Sequence, residues 1–233
     1  MESLLEGFRN FRDSVYPQTR EDYRRAAKAQ NPHTMIITCS DSRILLERIF
    51  SCGLGELFVY RNVGNIVPPF GQQASGEAAA VEYAVNVLKV RHIVVCGHSD
   101  CGAMKALMKP QALEGVPSTA AWLKHAETAR CVAVHRPGHA CADDPSRLVH
   151  LIEENVAAQL DHLRTIPAVA ARLVAGDLKI HGWVYDIAHA ELRGFDPATR
   201  VFGPIDEPGE AQEWRPAPAA RPRDGARPDA QGA

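Results

Sequence analysis

Four short apolar runs, separated by segments of helical periodicity, restrict what this chain can fold into more than any other feature. The runs are TMIIT (34–38), LFVY (57–60), HIVVCG (92–97) and LKIHGWVY (178–185), brief and rich in β-branched residues as buried strands are. Between them, residues 42–50, 75–90, 103–108 and 147–163 place apolar side chains at helical spacing, with Ser75 positioned as an N-cap. Strand alternating with helix defines an α/β fold, a mainly parallel sheet wrapped by helices. Near the end, ELRGFD and TRVFGP flank the turn DPAT and add an antiparallel strand at one edge.

The flanks read differently. Residues 1–30 form an N-terminal helical arm whose Leu4, Leu5, Phe8 and Phe11 make one apolar stripe before Pro17 interrupts, and such a stripe needs a surface to lie on. The α/β domain is expected over 31–206. Residues 207–233 are rich in Pro, Ala, Gly and Arg, a composition that predicts a disordered tail. A formal charge of -2 lacks the basic excess of a nucleic-acid binder, so no nucleic-acid partner is expected. No uncharged apolar run approaches the roughly 18 residues that span a bilayer, and MESLLEGFRNFRDS has no apolar core after a basic start. The expectation is therefore no membrane partner and a cytoplasmic protein.

In a reducing compartment, cysteines grouped with histidines are metal ligands or catalysts more often than disulfides. Cys39 follows the first run directly, and His98 and Cys101 follow the third as HxxC. Both groups lie at strand C-termini, where open parallel sheets bind their ligands. If the two strands are neighbours, two thiolates and an imidazole converge, a donor set that suits zinc and leaves one tetrahedral position open. Alone, HxxC is weakly specific, and a buried core cysteine beside a helix-start histidine is its better reading. The string CSDSR adds Asp41 and Arg43, which can pair bidentately but by themselves read as a helix-start Asp with a surface Arg. Together, CxDxR and HxxC after a later strand are highly specific.

With CSDSR, ELFVYRNVGNIV, AAVEYAV, IVVCGHSDCGAMKAL and HGWVYDI, the sequence resembles the β-carbonic anhydrases from about Leu4 to about Pro204. Within that family it is most similar to the carbonic anhydrases of cyanate-degradation operons, on the QNPHTMIITCSDSR and VYDI neighbourhoods. The resemblance implies reversible hydration of carbon dioxide to bicarbonate and a proton, by attack of hydroxide held on Zn2+. Cys39, His98 and Cys101 are then the zinc ligands and Asp41 with Arg43 the catalytic dyad, Asp41 taking the fourth zinc position only in the family's closed state. Gln30, Phe58, Val63 and Tyr83 match the carbon dioxide pocket, shared across a dimer, and the Gly102 amide faces substrate. Core packing would equally explain Phe58, Val63 and Tyr83, and Gln30 could simply end the arm. Self-association as a dimer or dimer of dimers is implied.

Some family members hold an inhibitory bicarbonate with a Trp, an Arg and a Tyr. Arg61 and Tyr185 match two of these positions, but Ile36 stands where the Trp would be and offers no donor. Arg61 could equally serve the fold as an ion pair. The expectation is an open site with Asp41 paired to Arg43 and no cooperative inhibition by bicarbonate. Competing patterns are incomplete. GHSDCG has Cys101 where a nucleophile elbow needs its second Gly, GLGEL lacks the third glycine of a dinucleotide fingerprint, and no CxxC supports thiol redox chemistry. Cys52, Cys96, Cys131 and Cys141 read as packing or incidental thiols.

Overall fold

The computed structural model describes residues 1–71, 75–135 and 145–205. The expected tail and Cys141 lie outside them. The chain opens with α1 (Glu2–Asn10), a π-helical turn (Phe11–Val15) and α2 (Tyr16–Ala26). Pro17 does not interrupt this arm. It follows a π-helical turn, whose wider winding accommodates the ring and carries the helix onward. No residue of α1 or α2 is buried, and Leu4 and Phe8 are 72% and 58% exposed.

Six strands form one sheet in the order β2-β1-β3-β4-β5-β6. They are β1 (Thr34–Cys39), β2 (Leu57–Asn62), β3 (His92–His98), β4 (Lys179–Asp186), β5 (Glu191–Asp196) and β6 (Val201–Pro204). The first four are parallel, and β5 and β6 continue antiparallel, so the edge holds two such strands where one was expected. Every residue of β1 is buried, as befits a parallel strand covered on both faces.

The short α3 (Leu46–Ile49) follows β1, where a helix over 42–50 was expected. Side chains claim the backbone there first: the Asp41 carboxylate accepts the Arg43 N–H at 2.9 Å, and Arg61 donates to the carbonyls of Asp41 and Ile44. Next come α4 (Gly76–Glu82), its N-terminus capped by Ser75 Oγ accepting the Ala78 N–H at 3.2 Å, and a π turn over Tyr83–Val87. After β3 lie α5 (Gly102–Met108), α6 (Pro117–Leu123), α7 (Glu127–His135), α8 (Pro145–Thr165) and α9 (Pro167–Ala175). The sequence reading omitted α6, α7 and α9, although Pro167 in the first turn and Gly176 at φ 77° bracket the last of these.

Helix α8 lies hard against β3 and β4. A Cβ on Gly97 would sit 2.9 Å from Val156 Cγ2, and one on Gly182 would sit 2.8 Å from Val156 Cγ1, so glycine at both positions sets the spacing between helix and sheet. Among the described residues no helix is long and apolar enough to cross a membrane.

Candidate metal centre

From β1 the chain passes to β2 on one side, and β3 lies on the other, so the sheet order reverses at β1. The crevice beyond the C-terminal ends of β1 and β3 is where such sheets bind ligands. Cys39 ends β1, His98 ends β3, and Cys101 is the N-cap of α5. Their ligand atoms all lie within 4.8 Å of one another, and all three residues are buried.

His98 is oriented by its Nδ1–H, which donates to the Ser99 carbonyl at 2.8 Å, a bond that leaves the Nε2 lone pair directed at the two sulfurs. Nε2 is buried without a hydrogen-bond partner. An orphaned polar atom of this kind costs about 1–3 kcal/mol. The Ser99 N–H donates to the Tyr185 carbonyl at 2.9 Å and its hydroxyl accepts the Ile187 N–H at 2.9 Å, which ties the histidine's loop to the end of β4.

The Cys39 thiol is pushed well down, chiefly by the Cys101 thiol that donates to it, and Cys101 is pushed up by the same contact. A divalent cation bound by both sulfurs would remove the conflict, since each would then be held as a thiolate. The Gly64 N–H also donates to Cys39 Sγ, at 3.4 Å. Two sulfurs and one imidazole exclude the oxygen-loving cations and fit zinc, with one tetrahedral position left open.

Asp41 stands beside the three donors, its Oδ2 3.8 Å from His98 Nε2. Arg43 grips it bidentately, Nε to Oδ1 at 2.9 Å and Nη2 to Oδ2 at 2.7 Å, and holds its carboxyl well below the usual carboxylate range. Arg43 is itself braced by Asp100, through Nη1 to Oδ2 at 3.2 Å and Nη2 to the carbonyl at 3.3 Å, and Lys105 pairs with Asp100. Asp100 adopts φ 60° to do so. The roles of Asp100 and Lys105 were not read from the sequence, although HSDC places an acid between two of the site residues.

The other expected site residues divide into two groups. Val63 and Gly102 belong to the segments just beyond β2 and Cys101, at the same end of the sheet as Cys39. Phe58 pairs with Met35, four residues before Cys39, or about 13 Å away along an extended strand. The Tyr83 ring lies 6.0 Å from Phe58, and Gln30 precedes β1 beside Gly55. Within one chain, then, Gln30, Phe58 and Tyr83 lie toward the opposite end of the sheet from Cys39. Arg61 donates to the carbonyls of Cys39 and Asp41, each at 3.2 Å, and to that of Ile44, so it braces the Cys39–Ile44 loop through carbonyls instead of an ion pair. Ile36 is buried in a small cluster with Ile44, Leu46, Val94 and Cys96, and Tyr185 packs against it.

This is an α/β architecture with a cysteine–histidine–cysteine cluster that could hold a metal ion at its topological switch point. Residues 34–192 match the carbonic anhydrase family, to which the chain belongs. The carbonic anhydrase of Pseudomonas aeruginosa is 45% identical over 212 residues, covering 91% of this chain and 95% of that one. Among solved structures, the β-carbonic anhydrase CcaA superposes with a TM-score of 0.83 at 39% identity, over 88% of this chain and 98% of the other. Tetrameric β-carbonic anhydrases from the ascomycete Sordaria macrospora give a TM-score of 0.74 at 30% identity, over 83% and 95%. The class is therefore β.

Proposed function

We propose that this chain hydrates carbon dioxide reversibly to bicarbonate and a proton at a zinc ion held by Cys39, His98 and Cys101. The observation that carries this reading is the buried, partnerless His98 Nε2 grouped with two sulfurs inside 4.8 Å. When bound, zinc acidifies a water and stabilises developing negative charge on oxygen. The chain's own residues do the rest. Asp41 accepts the O–H hydrogen bond of the attacking water and aims its lone pair, while Arg43 keeps Asp41 ionised and fixed. Val63 offers an apolar wall to an apolar substrate, and the Gly102 N–H faces a substrate oxygen. The test pairs metal analysis with stopped-flow hydration: about one zinc per chain and hydration activity are expected. Full activity in a zinc-free preparation would sink the proposal. Zinc without activity would leave a storage or scaffold protein, a reading the Asp41–Arg43 pair argues against.

The minimal active unit is expected to be a dimer, alone or as a dimer of dimers. The stripe on α1 is exposed, and Gln30, Phe58 and Tyr83 can serve a pocket only across an interface. The tetrameric relatives point the same way. Sedimentation at assay concentration should show no active monomer. A catalytically competent monomer refutes the shared pocket. Supply of bicarbonate for cyanate degradation is the finer role suggested by the QNPHTMIITCSDSR and VYDI strings.

A further inference from the structure

We propose that Asn155 and Gln159, on the buried face of α8, are positioning residues for the metal centre: they hold the 63–67 loop so that the Gly64 N–H donates to the Cys39 sulfur. The inference rests on Cys39 being a metal ligand, as proposed above. Both amides are essentially unexposed, at 1% and 0%, among the buried Leu151, Ile152, Val156 and Leu160 of the same helix. Buried amides are costly unless every polar atom is paired, so their place in this helix calls for a partner that needs them.

That partner is the loop. Asn155 Nδ2 donates to the Gly64 carbonyl at 3.0 Å, and Gln159 Nε2 donates to Asn155 Oδ1 at 2.9 Å, which fixes the amide orientation that presents Nδ2 to Gly64. Gln159 Oε1 accepts the Val67 N–H at 2.9 Å, and His162 Nδ1–H donates to the Val67 carbonyl at 2.8 Å. From the other side, Trp122 Nε1–H donates to the Val63 carbonyl at 2.8 Å. Gly64 itself has φ 84°, and a Cβ there would meet Ala103 Cβ and Met104 Cε at 3.1 Å, so no other residue brings its N–H to the sulfur without displacing α5. The chain of constraint starts at Gly97 and Gly182, which let Val156 seat α8 on the sheet. It passes through Asn155 and Gln159 and ends at the N–H on Cys39. An N–H···S bond draws charge from a thiolate and so tunes what that thiolate gives to a metal.

The test uses the full chain with cobalt(II) in place of zinc, read by the thiolate-to-metal charge-transfer absorption. Asn155→Leu, with the same branched skeleton and without the donor, is expected to move that band to lower energy and to weaken metal affinity about tenfold. Val169→Ala, a core truncation on α9, should lower stability and leave band and affinity unchanged, which separates positioning from general support of the fold. Since Asn155→Leu can fail to fold, the parent protein carrying NMR-active cadmium supplies a second readout. A coupling between the Gly64 amide proton and the metal through the Cys39 sulfur is expected. An unshifted band in folded Asn155→Leu, or no such coupling in the parent, overturns the inference. Absence of any charge-transfer band in the parent overturns the ligand assignment instead.

Discussion

Cys101→Ser is expected to lose both zinc and carbon dioxide hydration while keeping the fold. Cys101 is 1% exposed and supplies one of two sulfurs in a three-donor set, so a serine hydroxyl in its place offers a harder, more weakly acidic donor at the same point. Removing a supporting partner of a ligand already costs about 10–100-fold in affinity, and removing the ligand should exceed the upper end of that range. The fold should survive for a local reason. Cys101 is the N-cap of α5 with extended backbone, φ -63° and ψ 120°, and serine is among the best residues for that position. Metal analysis, stopped-flow hydration and circular dichroism on one preparation separate the outcomes. A folded Cys101→Ser protein that keeps stoichiometric zinc and parental activity would remove Cys101 from the metal site.

Much of this site is legible along the chain because its parts sit at strand ends. Cys39 directly follows a β-branched run, and HxxC directly follows another, which is enough to place three donors at C-terminal ends once β1 and β3 are neighbours. The adjacency itself depends on sheet order, which no local pattern carries. The helix expected over 42–50 shrank to Leu46–Ile49 because Arg61, on a different strand, takes the carbonyls that the first turn would have used. A contact between residues that far apart in sequence leaves no mark in either segment. Asn155 and Gln159 were hidden for a related reason: polar residues on the buried side of a helix read as interruptions until the loop they hold is seen. Pro17 misled in the opposite direction, since a proline that breaks a regular α-helix is accommodated here by the π turn before it, and no local pattern marks that turn. Gln30, Phe58 and Tyr83 came from family resemblance alone, and a single chain gives them no route to the metal.

Asp41→Asn is expected to retain zinc and to lose about a hundredfold or more in kcat. Retention follows from geometry: Asp41 is outside the three-donor set, with its nearer oxygen 3.8 Å from His98 Nε2. The loss follows from charge. Asparagine keeps the shape but replaces one acceptor oxygen with an N–H2 group, so Arg43 loses its bidentate ion pair and the attacking water loses an anionic acceptor. Misplaced or missing acid–base and electrostatic partners of this type cost about 10²–10⁴ in rate. Arg43 should stay near its place in the variant, because Asp100 holds it through both side chain and carbonyl. The pH profile adds a sharper discrimination. Arg43 holds the Asp41 carboxyl well below the usual carboxylate range, so Asp41 is ionised throughout the neutral range and cannot be the group whose titration shapes activity there. Its folded pKa is depressed, so its charge would be lost only in strong acid. The variant should therefore show a lower rate at every pH with the slope between about pH 6 and 9 preserved, given that reference carboxylates titrate near about 4. A variant as active as the parent would leave Asp41 without a catalytic role. A flattened slope at full zinc occupancy would make Asp41 a base that titrates near neutrality, contrary to its ion pair with Arg43.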